Sequence, residues 1–95
     1  VGKTTALKLL IDRIVRRGRK ESVFYYSCDE LVDYRELGEV LDTYLNSALG
    51  RSTKQRMIFL DEITFVEEWW RALKVRIDNG KLRNDVVTVT GSASL

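Results

Sequence analysis

Two charged clusters and one hydroxyl cluster hold the reactive side chains of this sequence: Gly2-Lys3-Thr4-Thr5, Asp61-Glu62 and Thr90-Gly91-Ser92. Gly2-Lys3-Thr4 has the form of the end of a phosphate-binding loop, G-x-x-x-x-G-K-S/T. Each residue type answers a need of polyphosphate chemistry. Gly lets backbone N–H groups approach an anion without a Cβ clash. Lys3 supplies a flexible cation at the β- and γ-phosphates, and Thr4 a hydroxyl ligand for Mg²⁺. Thr5 follows and can reach the α-phosphate. A helix that starts here points its positive dipole end at the phosphates.

The second cluster ends an apolar run, Met57-Ile58-Phe59-Leu60-Asp61-Glu62, the Walker B pattern. A buried strand of a parallel sheet delivers its last residues to the crevice above the sheet. Asp61 is expected there as a Mg²⁺ site, acting through the metal's water shell, because Mg²⁺ dehydrates reluctantly. Glu62 is the expected general base for an attacking water. The third cluster ends Val86-Val87-Thr88-Val89-Thr90. Thr90 is the first choice for a polar sensor near the γ-phosphate, and Ser92 the second.

Composition removes other chemistries. The chain has 95 residues, a net charge of +2, one Cys and no His. A zinc site of imidazoles and thiolates is excluded, as is Ser-His-Asp or Cys-His nucleophilic catalysis within the segment. Cys28 has no internal disulfide partner, and no signal pattern is present, so a cytoplasmic setting is expected. No apolar run approaches the ~18 residues of a membrane span. A net charge of +2 is too small to argue nucleic-acid or membrane binding from bulk electrostatics.

The elements that must position these residues alternate. Residues 3–17 are expected to be a helix with Leu7, Leu10, Ile11, Ile14 and Val15 on one face. Ser22 to Ser27 holds a strand, Val23-Phe24-Tyr25-Tyr26, whose tyrosines are expected to pack. Asp33 with Glu36 forms a capping box before a helix striped by Leu37, Val40, Leu41, Tyr44, Leu45 and Ala48. Thr64 with Glu67 reads as a second box. It opens a helix whose apolar face is Val66, Trp69, Trp70, Leu73 and Ile77. Alternation of this kind predicts an α/β fold with a parallel sheet. The Val23 strand and the Asp33 helix separate the two Walker motifs. That suits the P-loop class in which an extra strand lies between the Walker A and Walker B strands. The GTPase pattern Asp-x-x-Gly fails, since Glu62, Ile63 and Thr64 follow Asp61.

With these motifs in register, the chain resembles the AAA-like P-loop ATPases of archaea and bacteria. The resemblance rests on Val1-Gly2-Lys3-Thr4-Thr5, Ile58-Phe59-Leu60-Asp61-Glu62-Ile63 and Val89-Thr90-Gly91-Ser92-Ala93-Ser94. It implies a three-layer α/β/α domain that uses ATP and Mg²⁺ and hydrolyses ATP. It carries over Gly2, Lys3, Thr4 and Thr5 as phosphate contacts, and Thr4 and Asp61 as metal site. Glu62 becomes the base and Thr90 the sensor. Residues 1–95 are then expected to be part of such a domain, from within the phosphate loop through the sensor strand. The first residue is Val1, and the loop's opening Gly and leading strand would precede it. An isolated segment of this kind is expected to be inactive, and activity to belong to a longer protein.

Competing functions remain at this level: a nucleotide-gated interaction switch with slow hydrolysis, or a nucleic-acid-dependent motor or loader. The expected partners are ATP and, in such a family, a second copy of the chain; no membrane partner is expected. Two basic clusters, Arg13 to Lys20 and Arg71 to Arg83, bear on nucleic acid. Asp12, Glu21, Glu67, Glu68 and Asp78 dilute both, which makes a solvated face the better account.

Overall fold

The computed structural model describes residues 8–10, 12–13, 23–47, 55–83 and 85–91. Gly2, Lys3, Thr4, Thr5 and Ser92 lie outside the described residues, as do Ala48 and most of the first helix. Three short runs rich in branched and aromatic residues form strands: β1 (Val23–Ser27), β2 (Arg56–Asp61) and β3 (Asp85–Val89). All are parallel, in the order β1-β2-β3. The apolar run therefore occupies the middle of the described sheet. Ile58, Phe59, Leu60 and Asp61 are all buried, as a strand covered on both faces requires.

Helix α1 (Tyr34–Asn46) starts at the Asp33 cap, whose carboxylate accepts from the Arg35 and Glu36 N–H groups. Glu36 reaches back to the Val32 N–H at 2.7 Å, one residue before the usual partner of a capping box. Leu37, Leu41, Tyr44 and Leu45 of α1 pack on Ile58 and Leu60, with Phe24, Tyr26 and Val87 beside them. Each such aliphatic side chain contributes about 1.5–3 kcal/mol on burial.

The second helix departs from expectation. Ile63–Phe65 is a 3₁₀ turn, and α2 (Trp69–Asp78) begins only after it. Glu68, not Thr64, precedes α2, and it makes no side-chain cap. A parallel bridge between Asp33 and Glu67, carried by the Glu67 N–H and the Val32 carbonyl, holds this segment extended where a helix was expected. The later start shifts the buried face. Ala72 is buried and Trp69 and Leu73 pack on the core, whereas Trp70 and Ile77 are exposed. Leu10, expected on an apolar face, is also exposed.

The two helices meet through Arg76. Its guanidinium donates to Gly38 O at 3.0 Å and to both Asp42 carboxylate oxygens, at 3.0 and 2.8 Å. A Cβ on Gly38 would lie 2.6 Å from the Arg76 Nη2, so the absent side chain makes room for the charge. Both helices cover the face that carries Phe24, Ile58 and Val87. The described residues 8–10 and 12–13 are helical, and Lys8 Nζ stands 6.0 Å from the Tyr25 ring centre, on the face opposite α1 and α2. Helices thus flank the parallel sheet on both sides. No helix among the described residues is long and apolar enough to cross a membrane.

Candidate active site

Register places the reactive residues. Ser27 pairs with Asp61 across β1 and β2, and Leu60 with Val89 across β2 and β3. Thr90 therefore follows β3 beside Asp61. Strand residues two apart share a face. Tyr25, Phe59, Asp61 and Thr90 accordingly face away from α1 and α2, at or toward the C-terminal edge of the sheet. Ligands of open α/β sheets bind at that edge.

Asp61 is 1% exposed. A buried carboxylate needs hydrogen-bond donors, and the flanking strands supply them. The Tyr25 hydroxyl donates to Oδ2 at 2.7 Å. The Thr90 hydroxyl donates to Oδ1 at 2.5 Å and accepts from the Glu62 N–H at 3.3 Å. One hydroxyl of Thr90 thereby braces both residues of the acidic pair. The backbone is stitched to match. Cys28 N–H donates to Asp61 O, Thr90 N–H to Leu60 O, and Ile63 N–H to Thr90 O, at 2.8–3.0 Å.

Glu62 sits in the left-handed region, with φ 57° and ψ 42°. That conformation costs a non-glycine residue of order 1 kcal/mol or more, and such residues cluster at functional sites. It breaks the strand at the residue after Asp61, so the chain turns at once into Ile63–Phe65. Gly91 permits the close passage of this turn, because a Cβ there would lie 2.8 Å from Thr64 Cγ2.

Two neighbouring groups are set by burial. Desolvation, followed by the hydrogen bond to Asp61, pushes the Tyr25 phenol up to about 12. It remains a donor at any physiological pH. Desolvation and then the Asp61 and Asp29 charges push the buried Cys28 thiol up to about 11. A thiol so protonated is a poor nucleophile.

The structure brings together Asp61, Glu62 and Thr90 among the expected site residues. It adds Tyr25, which the sequence reading assigned to packing. Tyr26 does pack against the core, on the opposite face from Tyr25. The signal for Tyr25 is its parity with Asp61, and it becomes readable only once the β1–β2 register is known.

The donors here are hard oxygens, from Asp61, Thr90 and Tyr25. Among the described residues no three His, Cys, Asp or Glu side chains converge as a metal cage. A single carboxylate fits Mg²⁺, which keeps several waters and takes phosphate oxygens in place of an all-protein cage.

Other features belong elsewhere. Arg71 pairs with Glu68 and lies 4.1 Å from the Tyr34 ring centre, Lys74 pairs with Asp78, and Arg76 with Asp42. The second basic cluster is thus largely engaged with the protein's own groups. A groove of about 760 Å³ lies between β1 and α1, lined by Phe24, Tyr26, Val40 and Tyr44. It is mostly apolar and includes none of Tyr25, Asp61, Glu62 or Thr90.

No curated protein and no solved structure matches the chain. A family model does match, and it spans the Gly2-Lys3-Thr4-Thr5, Asp61-Glu62 and Thr90-Gly91-Ser92 clusters of the sequence. Over residues 1–95 the chain matches the AAA domain, and it belongs to that family of ATPase-type nucleotide-binding domains.

Proposed function

We propose that the chain binds ATP with Mg²⁺ and forms part of an enzyme that hydrolyses the β–γ phosphoanhydride with water. The observation that supports this most directly is the arrangement at the end of β2. A buried Asp61, held by two hydroxyls, is followed at once by a second carboxylate, and Thr90 contacts both residues. Family membership and the Gly2-Lys3-Thr4-Thr5 motif supply the phosphate-binding half of the reading.

In this reading Lys3 and the backbone at Gly2 hold the phosphates, with Thr5 beside them. Thr4 and Asp61 hold Mg²⁺, which when bound offsets the negative charge of the phosphates. Glu62 takes a proton from the attacking water, a role worth about 10²–10⁴ in rate. Thr90 keeps Asp61 and the Glu62 backbone in register with each other and acts as the sensor. A cytoplasmic setting and assembly with further copies belong to the same proposal.

Glu62→Gln in the intact protein tests it. ATP binding is expected to persist, while multiple-turnover hydrolysis falls by about 10²-fold or more. Unchanged turnover removes Glu62 from the base role. A wild-type protein that binds ATP but completes only one slow turnover identifies a nucleotide-gated switch instead.

A further inference from the structure

We propose that Tyr25 is a positioning residue for Asp61, fixing the rotation of its carboxylate for Mg²⁺ binding. This inference rests on the ATP and Mg²⁺ reading above. A carboxylate rotates in a broad, shallow well about its last torsion, so burial alone does not fix its plane. Here each oxygen takes a hydroxyl from a different strand: Oδ2 from Tyr25 on β1, and Oδ1 from Thr90 at the end of β3. With a hydroxyl on each oxygen, from the strands on either side, the plane is held more narrowly than by either donor alone.

The length of tyrosine suits the task. Tyr25 pairs with Phe59, two residues before the Ser27–Asp61 pair. The two Cα positions are therefore offset by about 6–7 Å along the strand direction, two residues of rise, and the long Tyr25 side chain helps to span that offset. Ser27, directly opposite Asp61, turns its hydroxyl to Asp29 at 3.2 Å. The neighbouring aromatics do different work: Phe24 stacks on Tyr44 at 4.3 Å on the other face of the sheet. Tyr25 is thus the residue of β1 whose hydroxyl is joined to the acidic pair.

The experiment is a Mg²⁺ titration of nucleotide binding to the intact protein, read with a fluorescent ATP analogue, for wild type and Tyr25→Phe. Supporting contacts to metal ligands typically affect metal affinity by 10–100-fold. For a water-mediated site the half-saturating Mg²⁺ concentration is expected to rise about tenfold, at the lower end of that range. Analogue binding in excess EDTA is expected to stay at the wild-type level, since Tyr25 is assigned no phosphate contact. A Tyr25→Phe protein that titrates like wild type overturns the proposal. So does an equal loss with and without Mg²⁺, which marks a packing defect.

Asp61→Asn supplies a second arm that does not depend on Tyr25→Phe being fully stable. In that background Tyr25→Phe is expected to add no further shift in Mg²⁺ dependence. The same tenfold shift in both backgrounds overturns the link to Asp61. A wild-type protein whose nucleotide binding ignores Mg²⁺ overturns the functional reading, and this inference with it. A Mg²⁺-dependent wild type with an unaltered Tyr25→Phe overturns this inference alone.

Discussion

The central strand β2 buries a carboxylate contact at each end, and the two contacts are built differently. At its first residue, Arg56 grips Asp85 of β3 with two bonds, 2.6 and 3.1 Å, and the Asp85 side chain is 0% exposed. At its last residue, Asp61 takes hydroxyls from Tyr25 and Thr90. A guanidinium cancels a carboxylate's charge as it orients it. A hydroxyl orients the carboxylate and leaves its formal charge in place. The first arrangement suits a fixed joint between strands, and the second is compatible with the Mg²⁺ role proposed for Asp61. Hydroxyls also both donate and accept, whereas Arg56 only donates.

That asymmetry orders the expected effects of mutation. The largest falls at the Arg56 end. Asp85→Asn removes a buried carboxylate from a mostly buried guanidinium, and unfolding in urea is expected to register a loss of about 3–5 kcal/mol. Next comes Asp61→Asn. Its hydroxyl partners can reverse donor and acceptor roles, so stability should stay near wild type. ATPase turnover should fall by about 10²-fold, about 2.7 kcal/mol at 1.36 per decade. A stability loss at Asp61 equal to that at Asp85 would erase the contrast between the two ends.

Thr90→Val is expected to be smaller, about 1.5–2 kcal/mol in stability, because it removes a hydrogen bond to a charged group. A change below a few tenths would mean that Tyr25 and the backbone suffice to hold Asp61. The smallest effect lies away from both ends, at Arg76–Asp42. The hydrogen bond to Arg76 holds the Asp42 carboxyl below its usual range. Its folded-state value is depressed, so its stabilisation is present above the unfolded value of about 3.9 and disappears as pH falls through the folded one. Arg76→Met should flatten the dependence of stability on pH below about 4, with little slope lost at neutrality. An unchanged acid limb would assign that slope to other carboxylates.

Much of this architecture was legible in local pattern. The runs at Val23, Met57 and Val86 became strands in parallel order, and Asp33 capped its helix as its spacing implied. Asp61, Glu62 and Thr90 were legible as a group because strand ends in a parallel sheet share one edge. The failures have a common cause in long-range pairing. Thr64 and Glu67 have the spacing of a cap, yet bonds from Ile63 to Thr90 and from Glu67 to Val32 impose a 3₁₀ turn and an extended step. Helix α2 then starts late, and Trp70 and Ile77 rotate outward. Tyr25 differs from Tyr26 in nothing local. The side of the sheet it faces, and the partner that stands there, follow from a register set 36 residues away. Arg56–Asp85 and Arg76–Asp42 escape a linear reading for the same reason.

The Arg76 contact at Gly38 has a mechanical consequence. Apolar ridges can slip past one another and find a new fit one turn along. Three directed bonds from one guanidinium to Gly38 and Asp42 have no equivalent at that displacement. A slide of about 5.4 Å along α1 would break all of them together. The joint therefore opposes sliding of the two helices through directed bonds, which apolar packing alone lacks.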